Sequence, residues 1–335
     1  MKLPAHLCYV SDSEPGITRK GAGRGFAYYW PDQTLIRQAE VRERLQSLAV
    51  PPAYRDVWYS EKEHAHLQAT GYDGRGRKQY RYHPDWSAWR EAEKFSSLRA
   101  FGEVLPSLRN AVSRELGKTG LGKEKVVAAV VRLLDRTAAR IGNEVYYQEN
   151  GTSGLTTLRG KHVETEEGSL ELNYLAKGGE EREFDLYQPR LVKLISQLQD
   201  LPGQRLFTYQ GENGVHPVDS SDVNEWLRDR AKIELSAKDF RTWRASQLTL
   251  TYLRGQGPAA TDREKLAQEK EALKKTSQEL GHRPPVCRKH YVHPEILRCH
   301  REGCLHELFE ERTATKKRAG LSEAEEDLLW FLSRL

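Results

Sequence analysis

Gly281-His282-Arg283-Pro284-Pro285-Val286-Cys287-Arg288-Lys289-His290-Tyr291-Val292-His293-Pro294 is the stretch around which the rest of the chain is organised. It places Tyr291 directly after Arg288, Lys289 and His290, with His282 upstream. A tyrosine amid so much positive charge has the character of a nucleophile for attack on a phosphate, because cations stabilise the negative charge that builds there. Basic residues also stand beside tyrosines on ordinary helices, so the stretch alone leaves both readings open.

The rest of the chain bounds the choice. Its 335 residues, 38% hydrophobic and 30% charged, suffice for two folded domains. The net charge of +5 fits a nucleic acid or another polyanion without requiring one. Residues 1–10 are neither a basic leader nor a long apolar run, and no segment approaches roughly 18 consecutive apolar residues. No signal peptide or membrane span is therefore expected. Cys8, Cys287, Cys299 and Cys304 are too few and too unevenly placed for a disulfide scaffold, which makes a reducing cytoplasm the default location. The Cys/His-rich run from Cys287 to His306 lacks paired Cys-x-x-Cys spacing, so no metal site is expected there.

The first 85 residues read as β-rich. Leu7–Val10, Ile17–Lys20, Phe26–Trp30 and Val57–Tyr59 are short strand candidates. Gly21, Gly23 and Gly25 lack the helix start and trailing lysine of a phosphate-binding loop. The spacing of Leu35, Val41, Leu45 and Leu48 predicts a helix over Thr34–Leu48, ended by Pro51-Pro52. Arg75, Arg77, Lys78 and Arg81 then crowd four cations into seven residues, interleaved with Gln79, Tyr80 and Tyr82. Long cations meet phosphates while amides and flat rings meet base edges; the other reading is a solvated basic hairpin.

From residue 86 onward the pattern is mainly helical. Helices are expected over Trp89–Leu98, Leu105–Arg114 and Lys123–Ile141, the last placing Arg140 at its C-terminal end with Gly142 as cap. Short strands are expected over Gly154–Leu158 and His162–Glu164. The alternating segments Leu170–Leu175 and Arg182–Leu186 flank Ala176-Lys177-Gly178-Gly179, a hairpin with Lys177 at its tip. Pro189–Leu198, Ser220–Ile233, Ala237–Leu253 and Thr261–Leu280 read as further helices. In the third of these Lys238 and Arg241 share a face; in the fourth Leu266, Leu273 and Leu280 form a stripe. Ser322 with Glu325 is a capping box opening a last helix. Phosphate transesterification needs a nucleophile, a proton for the leaving group and positive charge on the nonbridging oxygens. The chain offers Tyr291, Arg140, Lys177, Lys238, Arg241 and His282, which only the fold could bring together.

In order along the chain, Pro51-Pro52-Ala53, Gln68-Ala69-Thr70-Gly71, Arg77-Lys78-Gln79-Tyr80, Arg140-Ile141-Gly142-Asn143, Lys177-Gly178, Lys238-Asp239-Phe240-Arg241 and Val286-Cys287-Arg288-Lys289 with Tyr291 resemble the type IB DNA topoisomerases, in particular their small bacterial and poxvirus-like branch. The resemblance implies an α+β architecture: a β-rich DNA-binding domain over 1–85 and a mainly α-helical catalytic domain with a β-hairpin insert over 86–335. It casts Tyr291 as the nucleophile that forms a 3′-phosphotyrosyl link. Arg140 and Arg241 bind the scissile phosphate, His282 donates to a nonbridging oxygen, Lys177 is the general acid and Lys238 a supporting phosphate contact. Arg75, Arg77, Lys78, Gln79, Tyr80 and Arg81 fall among the DNA contacts. The partner implied is duplex DNA, held by a monomeric clamp at the nucleoid, with no cofactor and no metal. Position 282 is histidine or asparagine in the family; both donate to an oxyanion. A tyrosine recombinase uses the same chemistry, but that class generally has His-x-x-Arg where this chain has Lys238-x-x-Arg241. A DNA-binding protein without catalysis is the remaining alternative.

Overall fold

The structure, a computed structural model, describes residues 4–23, 25–312 and 318–335, and of residues 91–94 the backbone. It forms two compact units, Met1–Ser96 and Ser97–Leu335.

In the first unit β1 (Ile17–Ala22), β2 (Gly25–Tyr29), β3 (Arg55–Tyr59), β4 (Leu67–Tyr72) and β5 (Lys78–Tyr82) make one antiparallel sheet in the order β2-β1-β3-β4-β5. Ile17, Tyr28, Val57, Tyr59 and Ala69 bury their side chains together with Ile36 and with Leu45 of the helix α1 (Ala39–Ser47). That helix is shorter than its apolar spacing predicts. The side chain of Asp32 accepts from the backbone N–H of Thr34, and the N–H of Ile36 donates to Tyr28 at 2.9 Å. Residues 34–36 thus extend along the sheet instead of coiling. Leu7–Val10 is likewise not a strand: Cys8 makes only an isolated bridge to Ala65.

The division between the units falls inside α2 (Pro84–Leu116), 33 residues long, where two separate helices were expected. Pro106 lies in its interior without ending it. Leu98, Phe101, Leu105 and Leu108 are buried along one face on both sides of the proline, and such tertiary packing outweighs the lost hydrogen bond. Gly102 is required here. A Cβ at this position would stand 2.3 Å from the ring of Trp243, so only a glycine lets the indole lie against the helix.

The second unit is built round α3 (Lys123–Thr137), whose residues Val126–Val131, Leu133 and Leu134 are buried on nearly every face. Each such leucine contributes on the order of 1.5–3 kcal/mol by leaving water. After α3 come α4 (Glu144–Asn150) and a three-stranded sheet of β6 (Val163–Glu166), β7 (Ser169–Ala176) and β8 (Glu180–Tyr187). The segment around Leu155–Thr157 forms a short 3-10 turn in place of the strand expected there, while the strand expected over His162–Glu164 is present as β6, entered through a 3-10 turn at Gly160–His162. Next are α5 (Pro189–Gln199), a hairpin of β9 (Thr208–Gly211) and β10 (Gly214–Pro217), and α6 (Ser220–Ala231). The chain closes with α7 (Ala237–Gly255), α8 (Asp262–Leu280), α9 (Pro284–His290), α10 (Pro294–Glu302), α11 (Cys304–Glu310) and α12 (Glu323–Leu332). α7 packs against α3, α8, α10 and α12. The stripe on α8 is only partly a packing face, since Leu273 and Leu280 are buried but Leu266 is exposed.

Candidate functional site

Four separate stretches meet at one open cavity in the second unit. Its lining includes Arg140, Tyr146, Lys177, Lys238, Arg241 and Tyr291. Each reaches it for a local reason.

Arg140 is not on a helix. α3 stops three residues earlier, because Ala138 takes a left-handed φ of 47° and the Thr137 hydroxyl accepts from the N–H of Ala139. Arg140 and Ile141 then lie in an irregular segment, their carbonyls accepting from the N–H groups of Leu155 and Thr156. Gly154 backs this loop so closely that a Cβ on it would lie 2.4 Å from the backbone nitrogen of Gly142.

Lys238 and Arg241 project from the first turns of α7, opened by Ser236, whose N–H and hydroxyl bond the Asp239 carboxylate. Arg241 is buried and donates to the carbonyls of Ala138 and Leu280. Burial first, then the neighbouring Arg140 cation, push its guanidinium down to about 10, which leaves it charged at neutral pH. Among the described residues its Nε–H, also buried, finds no acceptor.

Tyr291 is the residue just past α9, and Ser246 of α7 fixes its backbone. The serine hydroxyl donates to the Tyr291 carbonyl (3.2 Å) and accepts from the N–H of His293 (3.0 Å). On the ring side, Arg241 lies 5.4 Å and Lys238 5.9 Å from the ring centroid. Lys177 stands in the turn between β7 and β8 with its Nζ 5.1 Å over the ring of Tyr146.

His282 closes the group. Arg241 Nη2 lies 2.6 Å from its Nε2 and Arg140 Nη2 3.0 Å from its Nδ1. Guanidinium nitrogens only donate, and a neutral imidazole accepts at one nitrogen only. One of the two contacts therefore sets N–H against N–H. Burial, then the charges of Arg241 and Arg140, hold the imidazole near a pKa of about 3, so it is neutral. The cluster has more donors than acceptors, and an anion is the ligand that would balance it.

The basic segment of the first unit is more self-satisfied than its sequence suggests. Asp73, left of the cationic run, accepts from the side chains of Arg77 (2.9 Å) and Gln79 (3.0 Å); Lys78 pairs with Asp12 (2.5 Å) and Arg81 donates to the Ala49 carbonyl. Tyr80 and Tyr82 stay about half exposed and nearly parallel, their centroids 6.1 Å apart. Among the described residues no group of three or more His, Cys, Asp or Glu is placed to hold a metal ion. No helix among them is long and apolar enough to cross a membrane.

The family model described as eukaryotic DNA topoisomerase I, catalytic core, matches residues 83–317, and that for the bacterial DNA topoisomerase IB N-terminal domain matches residues 25–73. A DNA topoisomerase 1B of Acanthamoeba polyphaga mimivirus is 30% identical over 285 residues, 83% of this chain and 85% of that protein. The chain belongs to the type IB DNA topoisomerases. The Vaccinia virus (strain Copenhagen) DNA topoisomerase 1B is 23% identical over 274 residues, covering 80% and 81% of the two chains. As a type IB topoisomerase the protein is an isomerase whose substrate is DNA, and a β-sheet unit preceding a mostly helical core is the architecture of that family. Sequence patterns did not single out the carbonyls of Ala138, Leu280 and Gly281 that steer the arginines, nor the Ser246 bridge. Backbone acceptors leave no mark on residue type, and a buried serine in a helix resembles many others.

Proposed function

We propose that this topoisomerase cuts one strand of duplex DNA by transesterification at Tyr291, lets the duplex relax, and rejoins the strand. The observation that carries the reading is the convergence of Arg140, Lys177, Lys238, Arg241 and Tyr291 on one cavity, with His282 between the two arginines. The phenolic oxygen of Tyr291 attacks the scissile phosphorus as the bond to the 5′-oxygen breaks. The products are a 3′-phosphotyrosyl bond and a free 5′-hydroxyl. The phenol proton passes to water, because an imidazole held near pKa 3 is a poor base. Lys177 gives its proton to the departing 5′-oxygen. Arg140 and Arg241 take the charge of the nonbridging oxygens. An arriving phosphate supplies the acceptors the cluster lacks, drawing the guanidinium N–H groups off His282 and freeing an imidazole N–H for oxygen. Lys238 adds positive charge on the same face as Arg241.

Because the phosphodiester's energy is kept in the tyrosyl ester, religation by the 5′-hydroxyl needs no ATP, and the arginines occupy the role a metal cation fills elsewhere. Arg75, Arg77, Lys78, Gln79, Tyr80 and Arg81 meet DNA from the first unit in the same reading, a single chain acting as a clamp in the cytoplasm. Tyr291→Phe tests the core of it. The variant is expected to give no protein–DNA adduct on end-labelled duplex, and an adduct at another residue overturns the mechanism.

A further inference from the structure

Four consecutive carbonyls at the end of α8 are shared among three arginines. Leu280 accepts from Arg241 and Gly281 from Arg140 (3.3 Å). The two before them, Gln278 (3.2 Å) and Glu279 (2.6 Å), accept from the two terminal nitrogens of Arg182. Of these carbonyls Gln278 also accepts from the capping N–H of Gly281 (3.2 Å). The last carbonyls of a helix lack the usual partners and carry its negative dipole end, so a forked cation is well suited to them.

Arg182 belongs to β8, and its cross-strand partner is Tyr174 on β7. It therefore sits on the hairpin that carries Lys177 in its turn. That turn gives Lys177 little support of its own: Gly178 and Gly179 both take positive φ, and Lys177 is exposed. On the β7 side the hairpin is tied down by the N–H of Ser153 to the Leu175 carbonyl (2.7 Å). On the β8 side the tie is Arg182, whose guanidinium also lies 4.8 Å over Phe184. A Cβ on Gly281 would come within 3.1 Å of the Arg182 side chain, so the helix end and the arginine are in close packing.

We propose that Arg182 is a positioning residue: by gripping the end of α8 it sets the Lys177 hairpin in register with the Arg140–His282–Arg241 frame held by the next two carbonyls. The inference rests on the reading of Lys177 as the acid. A misplacement of a reacting group by about 1 Å can cost ~10²-fold in rate. An effect through Lys177 has a signature that general loosening lacks, because a leaving group that needs no proton should not feel it.

The test compares single-turnover adduct formation on matched duplexes with oxygen or sulfur at the 5′-bridging position, for Arg182→Ala, Arg182→Lys and Lys177→Ala. Arg182→Ala is expected to be slowed ~10–10²-fold on oxygen and to run near the parental rate on sulfur. Arg182→Lys, which cannot fork to two carbonyls, should fall between on oxygen. Arg182→Ala equally slow on both duplexes, while Lys177→Ala is rescued by sulfur, overturns the inference and makes Arg182 a charge acting on the phosphate or a fold residue. Parental rates on both overturn it as well. If Lys177→Ala is itself not rescued, the acid assignment is what fails, and the inference falls with it.

Discussion

The imidazole of His282 lies 4.5 Å from the ring of Tyr291, within 19° of parallel. The residue that shares an arginine with each side of the site thus also forms one wall for the tyrosine. Its neutrality is imposed by burial and by the two cations, which hold it near a pKa of about 3 against an ordinary 6.5.

This depressed value makes stability depend on pH. The unfolded chain binds a proton at residue 282 below about pH 6.5 while the folded chain resists until about pH 3. The contribution is full above pH 6.5 and is lost as pH falls through that window. His282→Asn cannot titrate, so its thermal midpoint should fall less between pH 6.5 and 4 than that of the parent. Parallel melting curves across that range would refute the assignment of a neutral, half-buried imidazole. Adduct formation by His282→Asn should be retained at neutral pH, since an amide N–H also donates.

Relaxation of plasmid supercoils of both signs is expected to persist in EDTA and without ATP. Loss of activity in EDTA with recovery on adding Mg²⁺ would mean that the arginines do not carry the charge alone.

DNA affinity should fall steeply with salt, as phosphate contacts release counterions, and should survive loss of the nucleophile. Tyr291→Phe is expected to bind duplex DNA within a few-fold of the parent by fluorescence anisotropy. A large loss of affinity in a folded variant would make Tyr291 a binding residue.

Gly154→Ala probes the support behind Arg140. Its Cβ would meet the backbone of Gly142 and the Arg140 carbonyl at 2.4–2.7 Å, where no side chain can swing aside. Overpacking of this kind costs about 1–3 kcal/mol. Both a lower melting temperature and slower adduct formation are expected. A drop in stability with parental cleavage would show that the loop shifts without moving Arg140.

Much of this was legible in the sequence. The hairpin around Lys177, the shared face of Lys238 and Arg241 and the capped last helix all follow from local rules of turn, period and cap. The errors also have local causes. α3 ends at Thr137 because Ala138 turns left-handed, with the next N–H held by the Thr137 hydroxyl and the Ala138 carbonyl by an arginine from α7, a contact roughly a hundred residues away in sequence that no window on α3 contains. α2 continues through Pro106 because its buried face is continuous. The cationic run after Asp73 reads as unopposed until the turn folds the carboxylate back onto Arg77 and Gln79.

The crowding of Arg140, Arg241 and His282 has a cost when no DNA is present. Two guanidiniums are held near each other with one imidazole acceptor between them, so the resting protein is folded against its own repulsion. Such a site trades stability for function. Arg140→Gln, which keeps an N–H donor and removes one charge, is expected to melt above the parent while losing cleavage. A lower melting point would show that the hydrogen bonds of Arg140 to Gly281 and His282 outweigh the repulsion. Short polyanions with no cleavable bond should in turn raise the melting point of the parent more than that of the variant, because they supply the charge that the fold was built to await.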